Sequence, residues 1–163
     1  MSNALRYLTD DDGPIDTGAS ATNRTGRAQF KIDPFWKHST NLSPARWEAI
    51  LVPKIVELLG LPAGWDGYKS APVSYEACMF AIVVLNNVMR STTPCPQVVP
   101  LSSSAIQLEW HERGIDLEVR ISGAYKCEMY FEDLQCPEDP PIEIALGADL
   151  AQLIKCVDLL ASR

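Results

Sequence analysis

With 163 residues, 47% of them hydrophobic and 21% charged, the chain has the balance of a soluble globular protein and material for one good core, not two. Its longest apolar run, Met79 to Leu85, falls far short of the ~20 residues a bilayer crossing needs, so no membrane partner is expected. Asp and Glu number 21 against 14 Lys and Arg, a formal net charge of -7 without a basic cluster, which argues against direct nucleic-acid binding and suits a protein partner with a basic surface.

Residues 1–27 hold Asp10-Asp11-Asp12-Gly13-Pro14, Thr17-Gly18-Ala19-Ser20 and Thr25-Gly26 with hardly an apolar anchor, which reads as a flexible tail. A single domain is expected over 28–163. The N-terminus lacks a basic start followed by an apolar block, so no secretory signal is read and a cytoplasmic location is expected. Ala28 to Asp33 alternates briefly, as a short edge strand or arm would, before Pro34-Phe35-Trp36.

Ser43 as N-cap and Pro44 at the first helical position open a helix whose stripe is Trp47, Ile50, Leu51, Ile55, Leu58 and Leu59, broken by Lys54. Pro53 inside it predicts a kink near Ala49 or a split. Gly60 and Pro62 end the element, and the loop Gly64-Trp65-Asp66-Gly67-Tyr68 follows. Ser74 then caps a second helix, with Glu76 in its first turn and Cys78, Ala81, Ile82, Leu85, Val88 and Met89 as its stripe, widened by Val83 and Val84. Ser91 to Pro96 reads as a turn-rich linker.

Beyond it the apolar period changes from about 3.6 to 2. Ile106, Leu108 and Trp110 alternate with Gln107, Glu109 and His111; after Glu112-Arg113-Gly114, Ile115, Leu117, Val119 and Ile121 alternate with Asp116, Glu118, Arg120 and Ser122. This predicts a hairpin with a short Gly-containing turn, one face apolar and the other acidic and wet. Lys126 to Glu132 makes a third strand, Ile142 to Leu146 a short fourth, and Ala148 to Ala161 a last helix with Leu150, Leu153, Ile154, Val157 and Leu160 inward. The expected fold is α+β: an antiparallel sheet of three to four strands, packed on one face by about three helices in two layers.

Five cysteines, Cys78, Cys95, Cys127, Cys136 and Cys156, are scattered, odd in number and never in a Cys-x-x-Cys pair, which fits reduced core thiols better than a disulfide framework or zinc site. No phosphate-binding glycine loop, dinucleotide fingerprint, His-Glu-x-x-His helix or Gly-x-Ser-x-Gly elbow is present. His38 and His111 read as ordinary surface histidines. No catalytic residue, metal ligand or cofactor is assigned. The residues that stand out for binding are Trp65, Asp66 and Tyr68 in the loop, which also pin it locally, and Glu109, Glu118 and the counter-charge Arg120 on the wet face, with Asp116, Glu128 and Glu132 nearby. Paired acids of this kind serve a carboxylate- or metal-dependent hydrolase or, more simply, meet a basic surface.

The segment Leu61-Pro62-Ala63-Gly64-Trp65-Asp66-Gly67-Tyr68, the helix start Pro72-Val73-Ser74 and the strand Leu108-Glu109-Trp110 resemble a group of small, uncharacterised bacterial and phage proteins with a Leu-Pro-x-Gly-Trp-Asp-x-Tyr loop and a later Leu-Glu-Trp strand. The resemblance spans about residues 44–132; Lys69 departs from it, where a glycine or other small residue is expected. It implies a bacterial or mobile-element setting and no catalytic residues. The expected function is a non-catalytic acidic protein-interaction module, such as an accessory, antitoxin-like or anti-defence inhibitor. The alternatives are a small carboxylate- or metal-dependent hydrolase and a structural subunit of a larger assembly.

Overall fold

The computed structural model describes residues 46–163, with the side chains from Trp47 onward. The expected tail over 1–27, the arm at 28–33, His38 and the Ser43-Pro44 helix start lie outside the described residues. Helix α1 covers Arg46–Leu58 and α2 Tyr75–Val88; strands β1 Gln97–Pro100, β2 Ile106–Glu112, β3 Ile115–Gly123, β4 Lys126–Asp133 and β5 Ile142–Ala145 follow, then α3 Ala151–Ser162. The class is α+β, with one antiparallel sheet in the order β1-β2-β3-β4-β5. Five strands replace the three or four expected. The extra one, β1, begins after Pro96 and ends in Pro100, and proline is tolerated there because β1 is an edge strand, where a missing N–H breaks no central ladder.

α1 runs unbroken through Pro53 instead of splitting. Pro53 itself is exposed, while Leu51 and Ile55 on either side of it are fully buried, so packing holds the helix across the missing hydrogen bond. α2 is the central helix. Its Ser74 cap accepts the Ala77 N–H, it lies across β2 and β3, and Ala77, Cys78, Phe80, Ala81, Ile82, Val84, Leu85 and Val88 are buried around it. Val83, expected to widen the stripe, is instead 48% exposed. The core joins these residues to the apolar face of the sheet (Ile106, Leu108, Trp110, Ile115, Leu117, Val119, Ile121, Cys127, Met129) and to Leu153, Val157 and Leu160 of α3.

The β2–β3 hairpin turns in two residues. Glu112 pairs with Ile115, and Arg113 (φ 57°) and Gly114 (φ 73°) both take the left-handed conformation that matches the twist of the flanking strands. Arg113 tolerates it because its side chain is anchored, with Nη1 donating to the carbonyls of Leu160 (2.9 Å) and Ala161 (3.2 Å) at the end of α3. Asp133 at the end of β4 pairs with Arg163 through both carboxylate oxygens (2.8 and 2.5 Å), a second tie between sheet and helix. Trp110, 1% exposed, donates its indole N–H to the Pro94 carbonyl at 2.8 Å and so locks the linker before β1 against β2. Trp110→Phe removes that donor and part of the buried ring. It should lower unfolding free energy by about 1–3 kcal/mol in urea titration, and an unchanged midpoint would contradict this account.

Candidate functional site

Strand alternation sends Gln107, Glu109 and His111 of β2, Asp116, Glu118 and Arg120 of β3, Glu128, Tyr130 and Glu132 of β4 and Glu143 of β5 to the face turned away from the core. The register sets them in rows. One row crosses the sheet as Gln97, Glu109, Glu118, Tyr130, Glu143; a second as His111, Asp116, Glu132; a third as Gln107, Arg120, Glu128. Glu109 and Glu118 therefore face one another directly, an arrangement that costs stability unless something mediates between them.

Gln107 mediates. Its amide nitrogen donates one hydrogen to Glu109 Oε1 (3.0 Å) and the other to Glu118 Oε2 (2.9 Å), which turns two repelling acids into a bridged pair. His111 joins from the next position along β2, with Nε2 3.4 Å from Glu109 Oε2 and Nδ1 2.7 Å from Asp116 Oδ1. Asp116 Oδ1 is shielded from water and makes no well-aligned hydrogen bond, so the close ion-pair contact with His111 is its support. The expectation of an ordinary surface histidine is thus corrected: His111, though 41% exposed, is fixed between two carboxylates. Burial works against its charged form, but the negative charges of Asp116 and Glu109 close beside the ring outweigh it and hold the pKa above the ordinary 6.5. Among the described residues, Glu109, His111 and Glu118 each offer a ligand atom, all within 4.8 Å of one another, a set that could hold a metal ion.

Beside Glu118 the face dips into an open groove of about 420 Å³, lined by Glu118, Arg120, Glu128, Tyr130 and Glu143. Tyr130 donates its hydroxyl to Glu132 at 2.6 Å, and that bond pushes its pKa up to about 12, which keeps it a hydrogen-bond donor. Arg120 stands opposite Glu128 and Gln107 in register, and its guanidinium donates to Ser103 Oγ at 3.3 Å, away from the Glu109–Glu118 pair that it was expected to balance.

Trp65, Asp66 and Tyr68 come together in a separate, self-closed loop. Asp66 Oδ1 accepts the Tyr68 N–H (2.9 Å) and the Ser70 hydroxyl (2.6 Å), the Trp65 indole donates to the Ala71 carbonyl (3.2 Å), and the Gly64 N–H donates to the Ser70 carbonyl (2.8 Å). Gly64 is required there: at φ 74° an added Cβ would lie 2.9 Å from the Tyr68 carbonyl oxygen. The hydrogen bond from Ser70, then that from Tyr68, hold the Asp66 carboxyl below its ordinary 3.8, so it is a weak base and a turn-former. Tyr68 projects outward, 85% exposed. The loop is tied to the β1–β2 turn by Ala71 N–H to Ser102 (3.1 Å) and Ser74 N–H to Ser104 (2.8 Å), the same turn whose Ser103 holds Arg120.

Cysteine chemistry has little support here. All five thiols are free; burial pushes Cys78 and Cys156 up to about 11 and Cys127 to about 12, and Cys136 is raised chiefly by the Asp133 charge, so none of these four is an activated thiolate. Gln107 and the Asp116–His111 pair were not singled out from the sequence for a role, although the alternation of β2 and β3 already placed all three on the wet face.

Two outcomes check this geometry. Because the folded His111 pKa lies above the unfolded one, its pairing contributes fully below about pH 6.5 and is lost as pH rises through the raised value. In an NMR titration the His111 imidazole should titrate above the ordinary midpoint in the wild type and move down in Asp116→Asn; an unmoved midpoint would refute the pairing. Asp66→Ala should lower the melting temperature by several degrees through loss of the turn, and a melting curve overlaying the wild type would show that the loop does not need its carboxylate.

No protein-family model, curated protein or solved structure matches the chain, so what this face can do is argued from its own geometry.

Proposed function

We propose that the chain is a non-catalytic interaction module whose acidic sheet face receives a basic protein surface. One observation carries the reading: Glu109, Asp116, Glu118, Glu128, Glu132 and Glu143 fall on one face of a single sheet, against the basic residues Arg120 of β3 and Lys126 at the start of β4. The groove beside Glu118 is an open recess with acids on both sides, suited to a lysine or arginine side chain. A face like this steers a cationic partner in and fixes its register by charge. α2 lies across β2 and β3 on the opposite, apolar face. The loop with Tyr68 at its tip is the second surface of the same module, an exposed aromatic of the type enriched at interfaces.

The resemblance of Leu61 to Tyr68 and of Leu108-Glu109-Trp110 to small bacterial and phage proteins supports a cytoplasmic accessory, antitoxin-like or anti-defence role, in which an acidic face occupies a groove that otherwise holds a polyanion. The Asp66 carboxylate is committed to its own turn and is not available as a base.

The test is binding of a fluorescent lysine-rich peptide to the full chain. Binding should appear at low salt and disappear at ~1 M salt, where the screening length is about 3 Å. Glu109→Lys combined with Glu118→Lys should weaken it at least about tenfold in a chain that still unfolds cooperatively. Absence of binding at low salt, or binding indifferent to the double reversal, would overturn the proposal.

A further inference from the structure

Glu109 and His111 alternate on β2, and Glu118 sits across from Glu109 on β3, so two carboxylates and an imidazole converge from adjacent strands. We infer that these three side chains bind one divalent first-row transition cation, of the Zn²⁺ or Co²⁺ type, with Asp116 and Gln107 orienting them. The inference stands independently of the partner reading.

The imidazole matters most. Carboxylates alone suit Mg²⁺ or Ca²⁺, whereas a nitrogen donor shifts preference to the borderline transition ions. A metal-bound histidine regularly donates its other ring N–H to a carboxylate, which fixes the tautomer and aims the lone pair at the ion. Here a carboxylate stands in that place: Asp116 Oδ1 is in ion-pair contact with Nδ1 at 2.7 Å, which leaves Nε2 on the side of Glu109. Asp116 Oδ1 is shielded from water and leans on the Nδ1 contact, which a polarised imidazole strengthens. A cation on Nε2 supplies that polarisation.

The distances agree. Nε2 and Glu109 Oε2 are 3.4 Å apart, longer than the 2.7–2.9 Å of a charge-assisted hydrogen bond. Two ligands of a tetrahedral ion with bonds of ~2.0–2.1 Å stand about 3.3 Å apart, so the gap matches two atoms facing a common ion. Gln107 occupies Glu109 Oε1 and Glu118 Oε2, which leaves Glu109 Oε2 and Glu118 Oε1 as the oxygens to coordinate. Glu118 is partly buried and offers its ligand atom within 4.8 Å of those of Glu109 and His111. The fourth position opens to solvent. An ion there also neutralises the two acids that the register sets opposite each other.

The test is titration of the full chain, free of any histidine tag, with Co²⁺ alone, followed by its visible absorption. Saturation at one ion per chain is expected, without the near-ultraviolet thiolate-to-cobalt band that a cysteine site would give. His111→Ala should abolish it, and Glu118→Gln, nearly the same in shape, should weaken it at least about tenfold. Asp116→Asn, at a residue that does not touch the ion, should also weaken it about tenfold. His38→Ala should leave it unchanged. Zn²⁺ should raise the melting temperature of the wild type and not of His111→Ala. Lack of saturation, a thiolate band, or affinity unchanged in folded Glu118→Gln and Asp116→Asn would overturn the inference. A chain that takes Co²⁺ but ignores the lysine-rich peptide keeps this inference and ends the partner reading; the reverse result ends this one.

Discussion

Everything on the outer face depends on the two-residue turn at Arg113-Gly114. With Glu112 opposite Ile115, the ladder places Trp110 against Leu117, Leu108 against Val119 and Ile106 against Ile121 on the inside, and Glu109 against Glu118 and His111 against Asp116 on the outside. A slip of one residue would carry the charges of β2 into the core and its apolar residues into water. Gly114 contributes its left-handed freedom, and an added Cβ would come within 2.7 Å of the Gln135 side chain. The turn thus selects both which residues are buried and which acids meet.

Much of this was legible beforehand where a period or a punctuation residue carries the information. Ile106 to Trp110 and Ile115 to Ile121 announce their inner and outer faces by strict alternation, and Ser74 announces α2 as a cap. β1 was not legible, because Val98 and Val99 between two prolines do not make a pattern and pair only once β2 offers them an edge. At Pro53 the local rule offers a kink or a split, and the helix runs on without the split because buried neighbours on the same element hold it together. The candidate site was half legible. Alternation put Glu109, Glu118 and His111 on one side, but that Gln107 bridges the acids and Asp116 holds the imidazole depends on cross-strand register, which single-strand periodicity does not contain.

The two surfaces singled out from the sequence are distinct in the fold and joined by one turn. Ser102 and Ser104 accept the backbone N–H groups of Ala71 and Ser74, while Ser103 between them receives Arg120. The Trp65 loop is therefore a brace that sets where α2 begins, and Arg120 is a strut from the acidic face to that brace.

Arg113 bears on the order in which the chain is assembled. Its guanidinium satisfies helix-end carbonyls that lie 47 residues further on, at Leu160. A ribosome releases the hairpin well before that helix, so the turn waits with an unused donor until α3 arrives, and α3 lacks this partner for its final carbonyls until the turn is in place. Early and late parts of the polypeptide are thereby tied together, the hairpin turn meeting the end of the last helix whose apolar side is already held in the core.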